Sequence, residues 1–263
     1  VPANEFMNVE GAQFSKSRNW AVWLPDILKR YDPDPIRYYV AVTMPETRDS
    51  DFSWSDFVSR NNDELVATWG NLANRVISFT YKHWEGKIPE PGELRGPDKE
   101  LLHIVEAGFE TVGRQIEAVR LRAGLGEAMK LAREVNGYLD RAPWFGVIES
   151  DRGAAATTVY TALRAIDSLK VMLSPFLPFS SQQLHRSLGY ADALFGEQRI
   201  VTYKELTRSH QALVYAPEGA AGRWEPSRLP PGQQLAKPAP LYKKLDDEII
   251  EAERARLGAA SED

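Results

Sequence analysis

The sequence predicts a mainly α protein, an antiparallel helical bundle preceded by a small mixed α/β module. Two observations carry that class. From Trp54 to about Leu173 apolar residues recur at helical spacing in successive stretches, and the breaks between them are short and marked by Gly and Pro. Four or five consecutive helices joined by short connections pack as an antiparallel bundle.

At the N-terminus FMNVE alternates as the end of a strand does. LPDILKRY and PIRYYVAV then give two short helical patterns, the second opening at a proline. These make a module over residues 1–52. Ser53 fits as the N-cap of a long amphipathic helix with Phe57, Leu65, Trp69, Leu72, Val76 and Phe79 on one side. Asn61, Glu64, Thr68, Asn71, Arg75, Ser78 and Lys82 fall on another. Gly86, Pro89, Pro91 and Gly92 end it.

Asp98 opens a stripe through Leu101, Val105, Phe109, Val112, Ile116 and Val119 that runs on into Leu125, Met129, Val135 and Leu139, and Gly124 and Gly126 are expected to divide it into two helices. A further helix from Ala154 to about Leu173 stops before Pro175 and Pro178. SSQQLHRSLGY, capped by Ser180 or Ser181, closes a bundle expected to occupy residues 53–215. Residues 216–263 combine a Gly/Pro-rich run, read as loop or short strands, with a charged amphipathic helix, LYKKLDDEIIEAERARL, that has no evident partner in the bundle.

Composition narrows the function classes. The 263 residues are 43% hydrophobic and 26% charged, an ordinary globular balance. No apolar run approaches the roughly 20 residues that cross a bilayer. The opening VPANEFMNVE lacks the basic and apolar regions of a secretory leader, so a cytoplasmic place without membrane association is expected. With no cysteine, and four scattered histidines outside any HExxH spacing, no metal site is expected. A net charge of −5 argues against a non-specific nucleic-acid coat but leaves room for a local reading surface. The chain begins at Val1 in mid-pattern, as a piece of a longer protein would.

The stretch GAQFSKSRN, Gly11 to Asn19, has two readings. It is either a solvated turn or a mobile loop that carries the Lys16 ammonium onto phosphate oxygens, with serine hydroxyls and loop N–H groups in support. NVEGAQFSKSRN followed by DILKRYDPDPIRYYV resembles the segment around the KMSKS signature of class I aminoacyl-tRNA synthetases, where that loop closes on ATP. Here it stands as Gln13-Phe14-Ser15-Lys16-Ser17. DSDFSWSDFVSRNNDELVATWGNLANRV resembles the start of the anticodon-binding bundle of methionyl-tRNA synthetases. LDRAPW, Leu139 to Trp144, resembles that family's second bundle signature, and PLYKKLDDEIIE its C-terminal segment. The resemblance covers nearly the whole chain.

It implies a stem-contact module in residues 1–52, ATP contacts from Ser15, Lys16 and Ser17, with Lys16 catalytic, and anticodon contacts from Asn71, Arg75 and Trp144. It further implies ATP with Mg2+, methionine and a tRNA bearing the methionine anticodon as what the longer protein takes, none of the small molecules being held by this piece alone. The residues suit those roles. Asn71 and Arg75 lie four apart on one polar helix face and offer an amide and a guanidinium to base edges. Trp144, after Pro143, is either core or an exposed stacking platform, and the other six tryptophans, among them Trp20, Trp23 and Trp54, read as packing.

Two departures stand out. Gln13 replaces the first Lys of KMSKS, and no HIGH signature occurs in the chain, so the isolated piece is not expected to form an adenylate. The alternatives left open are the equivalent part of a cysteine or leucine synthetase, a non-catalytic interaction bundle of synthetase descent, and, with little support, a free-standing enzyme.

Overall fold

The computed structural model describes residues 3–258, so the outermost residues of the first and last expected units, 1–2 and 259–263, lie outside the described residues. Strands β1 (Met7–Val9) and β2 (Ala12–Gln13) pair antiparallel with Val9 opposite Ala12. Their two-residue turn has positive φ at Glu10 (46°) and Gly11 (75°), the left-handed geometry that matches hairpin twist. β3 (Ser50–Phe52) joins the other side of β1 in parallel, giving the order β2-β1-β3. A parallel return needs a crossover, which α1 (Leu24–Arg30) and α2 (Pro33–Val42) supply, each with a proline in its first turn. Val9, Ile27, Tyr39, Phe52, Trp54 and Phe57 form the module's core, the last four as edge-to-face rings.

The long helix expected from Trp54 is continuous but not uniform. It runs as α3 (Trp54–Arg60), a π-helix over Asn61–Gly70 and α4 (Asn71–His83). Hydrophobic spacing does not distinguish i−4 from i−5 bonding over ten residues, so the wider turns were invisible in the pattern. The π segment meets the C-terminal chain. Asn62 exchanges hydrogen bonds with the backbone of Leu245 at 2.9 Å each, Asn61 donates to the Lys243 carbonyl at 3.0 Å, and a Cβ on Gly70 would stand 3.0 Å from the Tyr242 ring.

α5 (Gly96–Glu117), α6 (Leu121–Arg141), α7 (Arg152–Leu173) and α8 (Pro178–Ser187) complete the bundle around one large core with α4. The break between α5 and α6 falls at Ala118–Arg120, where Val119 takes φ 56°, and not at Gly124 and Gly126. Gly124 is instead a contact point inside α6, where a Cβ would sit 3.3 Å from Ile116 of α5. A helical glycine costs only about 1 kcal/mol, which close packing of the two helices offsets. α7 is buried on nearly every side, including Thr157, Thr158, Asp167 and Lys170, and is the central helix of the bundle. The first turn of α8 is capped from outside. Its N-cap residue is Leu177, and the carboxylate of Asp34 in α2 accepts from the Ser180 N–H and hydroxyl, both at 2.6 Å, and from the Phe179 N–H at 3.3 Å.

The sequence pattern did not bring out the ribbon β4 (Glu197–Lys204) and β5 (Ser209–Ala216), which closes the expected 53–215 unit and passes its end by one residue. The ribbon is largely open to solvent, with Ile200 and Leu213 each 68% exposed, and only the second half of β5 alternates in burial, so the in/out signal of a half-buried strand is weak. The Gly/Pro-rich run that follows is an extended strap whose backbone is satisfied by the bundle. Ile88 and Gln233, Gly232 and Ile88, and Leu235 and Gly86 pair through N–H···O bonds of 2.7–2.9 Å. The last helix, α9 (Glu248–Arg254), has its partner in the N-terminal module. Ile249, Ile250 and Leu257 pack on the module's core, Arg30 meets Glu253 at 2.6 Å, and Arg254 meets Glu10 at 3.0 Å.

Candidate functional site

Two sites emerge on different parts of the fold. The first is the loop after β2. Ser15 and Trp20 pair through two backbone hydrogen bonds of 3.0 and 2.9 Å, and the Asn19 N–H closes a turn onto the Lys16 carbonyl at 3.1 Å. Asn19 has φ 50°, and its side chain accepts from the Trp23 indole at 2.7 Å. The Trp20 indole donates to the Val9 carbonyl at 2.9 Å, which pins the loop base to the sheet. Trp20 thus packs as expected, whereas Trp23 is exposed and serves the loop. Lys16 stands at the tip of this clasp, exposed, and its side chain makes no ion pair or hydrogen bond among the described residues. The Ser15 and Ser17 hydroxyls are 3.3 Å apart beside it, and Gln13 is exposed at the end of β2. From the other side the C-terminal chain reaches the loop, the Gly258 N–H donating to the Asn19 carbonyl at 3.0 Å.

The second site lies on the bundle. Asn71 and Arg75 are exposed one turn apart on α4, opposite Leu72 and Val76 in the core. The Arg75 guanidinium lies 5.4 Å from the centre of the Trp144 ring and reaches Asn136 Oδ1 at 3.3 Å. Asn136 is held by donating to the carbonyls of Thr68 and Ala132 at 3.1 Å, so the π segment and α6 together set where Arg75 sits. The structure therefore brings Arg75 and Trp144 into contact and leaves Asn71 beside them, its amide with no hydrogen bond among the described residues.

Trp144 itself is only 7% exposed. Its indole N–H donates to the Leu139 carbonyl at 2.9 Å, and its ring meets Phe79 edge-on with centroids 4.9 Å apart. In this structure its ring is packed, and the open ring beside it is that of its neighbour Phe145.

The segment bearing Trp144 is anchored by a buried network. Asp98 accepts from the Arg95 backbone and side chain at 2.8 Å and from the Tyr138 hydroxyl at 2.6 Å. Arg95 also reaches the Thr158 hydroxyl, which donates to the Pro143 carbonyl, both at 2.9 Å. Burial works against the Asp98 carboxylate, but the hydrogen bonds from Arg95 and Tyr138 prevail and hold its pKa below the usual value. At the other end of α4, Arg152 lies 5.1 Å over the Trp84 ring and donates to the His83 carbonyl. Slight burial and the charges of Lys82 and Arg152 keep the His83 imidazole more neutral than usual.

Sequence reasoning missed Asn136 and Phe145. A signal for the first was present, since Asn136-Gly137 is a poor helix-interior pair inside an otherwise strong pattern. Among the described residues no three His, Cys, Asp or Glu side chains stand where they could hold a metal ion, and no helix is long and apolar enough to cross a membrane.

A clasped loop with an exposed lysine on a mixed module, followed by a helical bundle with a polar face on α4, defines a class of protein before any particular family. Residues 1–77 match the family model described as tRNA synthetases class I (M), and residues 88–220 match the anticodon binding domain of methionyl tRNA ligase. The chain is 56% identical over 264 aligned residues to the methionine–tRNA ligase of Thermomicrobium roseum, covering 99% of this chain and 45% of that protein. It is 49% identical to that of Chloroflexus aggregans, covering 98% and 43%. The chain belongs to the methionyl-tRNA synthetase family. It spans under half the length of these curated relatives.

Among solved structures, Mycobacterium tuberculosis methionyl-tRNA synthetase in complex with methionyl-adenylate shares the fold. Its TM-score is 0.75 at 23% identity, over 91% of this chain and 43% of that one. The apo form of the same enzyme gives 0.71 at 21% over 93% of this chain and 43% of that one. With both family models naming the methionine branch, a cysteine or leucine synthetase and a non-catalytic bundle are not favoured.

Proposed function

We propose that this chain is the tRNA-reading and loop-bearing part of a methionine–tRNA ligase. The full-length protein would activate methionine with ATP and Mg2+ in the cytoplasm and pass it to tRNA. The observation that carries the reading is the exposed Asn71–Arg75 face of α4, with the Arg75 guanidinium seated over the Trp144 ring. An amide and a planar guanidinium one turn apart suit the edges and faces of unpaired loop bases. Trp144 seats Arg75 and, as the family resemblance implies, belongs to the same anticodon surface.

At the other site Lys16 carries the chemistry. Its clasp fixes the base of the loop while its ammonium stays uncommitted, so it can meet charge that develops on the phosphates in the transition state. Ser15 and Ser17 add hydroxyl donors on the same side. With Gln13 in the place of a lysine, the loop brings one cation fewer, and Lys16 bears more of the task. Residues 1–52, 53–215 and 216–263 are, in this reading, the stem-contact module with its loop, the anticodon-binding bundle, and a strap that ties one to the other.

The experiment has two arms. The chain alone binds a methionine anticodon stem-loop in preference to a control stem-loop, and shows no methionine-dependent exchange of pyrophosphate into ATP. In the full-length protein Lys16→Ala slows adenylate formation by about 3 kcal/mol of barrier while leaving methionine binding unchanged. Equal binding of both stem-loops, or unchanged activation in the variant, refutes the corresponding half.

A further inference from the structure

A cleft of about 940 Å3 opens between α2, one face of α8, the base of the ribbon and the strap, and it shares no residue with either site described above. Pro178, Phe179 and Phe195 give it apolar walls, the Phe179 ring being 61% exposed at the start of α8. Two arginines line it. Arg37 is held at its edge by donating to the carbonyls of Phe176 and Pro175 at 2.9 Å, while the Arg186 side chain makes no ion pair or hydrogen bond among the described residues. No Asp or Glu lines the cleft, and Glu197 beside it falls on the opposite face of the ribbon by strand alternation. Gln182 accepts the Leu194 N–H at 2.8 Å, but its own Nε2 is buried with no hydrogen-bond partner among the described residues. The ribbon adds a second set of free donors and acceptors. The Glu205 N–H bonds to the Arg208 carbonyl, which makes the odd-numbered residues of β4 the ones paired to β5 and turns the backbone groups of Gln198 and Ile200 to the open edge. That edge has no further strand among the described residues, and Gln198 lines the cleft. A two-stranded ribbon is marginal in water, and a third strand is what it lacks.

We infer that the cleft docks an extended acidic segment of a partner protein, which adds to β4 as a third strand, sets a bulky apolar side chain against Phe179 and Phe195, and presents a carboxylate to Arg186 and Arg37. The Gln182 amide then donates to a carbonyl of that segment. RNA suits the place less well, because apolar walls and an open strand edge offer nothing to a phosphate backbone, whereas a peptide uses every one of these features. Docking here uses no residue of the α4 face, so it stands or falls apart from the anticodon reading.

The test selects short random displayed peptides on the 263-residue chain and measures the enriched ones by fluorescence anisotropy. Enriched peptides carry Asp or Glu near a bulky apolar residue and no internal proline, since an added strand must donate to β4. Phe179→Ala and Arg186→Glu each weaken their binding by about tenfold or more, and Arg186→Lys by less. Both side chains are exposed, so neither change moves the melting temperature by more than about 2 °C or alters stem-loop binding. Methylating the peptide nitrogens one at a time abolishes binding at alternate positions only, as strand addition requires. Enrichment of basic peptides, unchanged binding in either variant, tolerance of methylation at every position, or no enrichment at all overturns the inference while the functional reading stands. Displacement of the peptide by the methionine stem-loop, with stem-loop binding weakened in Arg186→Glu, marks an RNA surface and overturns it as well.

Discussion

Truncating Trp144 to alanine tests whether this signature residue acts by packing. The change removes an indole that is 7% exposed, meets Phe79 at 4.9 Å between centroids and donates to the Leu139 carbonyl at 2.9 Å. Removing a buried aromatic from a packed interior costs about 3–5 kcal/mol. The lost stack under the exposed Arg75 guanidinium adds roughly 0.5–1 kcal/mol. A total near 5 kcal/mol lowers the melting temperature of a chain this size by roughly 10–20 °C. Trp144→Phe keeps most of the apolar contact, orphans the Leu139 carbonyl and costs about 1–2 kcal/mol. Scanning calorimetry on both variants, with stem-loop anisotropy measured well below either melting point, separates stability from binding. Binding falls in Trp144→Ala because Arg75 loses its seat. A Trp144→Ala chain that melts within about 2 °C of the unaltered one would refute the core assignment.

Three further outcomes follow from buried groups elsewhere. Asp98→Ala strands the Tyr138 hydroxyl and the Arg95 backbone N–H and costs about 2–4 kcal/mol by denaturant unfolding. Because the carboxylate is held below its ordinary 3.8, the stability it supplies is complete at neutral pH and is lost only as pH falls beneath that value. His185, in contact with Lys170 Nζ at 2.9 Å, is pushed by burial and by the Lys170 charge from 6.5 down to about 4. An imidazole depressed in the folded state contributes fully above pH 6.5, and that contribution declines as pH falls towards 4. Denaturant midpoints therefore record an acid loss of up to about 3 kcal/mol, which His185→Gln flattens. In Gly108→Ala the new Cβ runs into Leu131 Cδ1 and meets Met172 Sδ at 3.0 Å, and the overpacking outweighs the gain in helix propensity, so thermal melts show a net loss of about 1–2 kcal/mol.

Local pattern was enough for the helical class, for the order of module, bundle and tail, and for the polar face of α4, because helical period and Gly/Pro punctuation act over a few residues. The loop around Lys16 and the pair Asn71 and Arg75 were equally legible, since loop composition and a spacing of four are properties of the chain itself. Whatever depends on which surface meets which was settled only by the assembled molecule. The α5–α6 break lies at Val119 and not at two conspicuous glycines, because Gly124 is needed where α6 approaches Ile116. The charged C-terminal helix appeared partnerless because its partner, the core of the N-terminal module, is more than 200 residues away in sequence, as the pair Arg30–Glu253 shows. Of two adjacent aromatics, Trp144 turned inward and Phe145 outward. Nothing in APWF distinguishes them, since the choice was made by Phe79 and the Leu139 carbonyl, groups on α4 and α6 that close over one ring and leave the other in water.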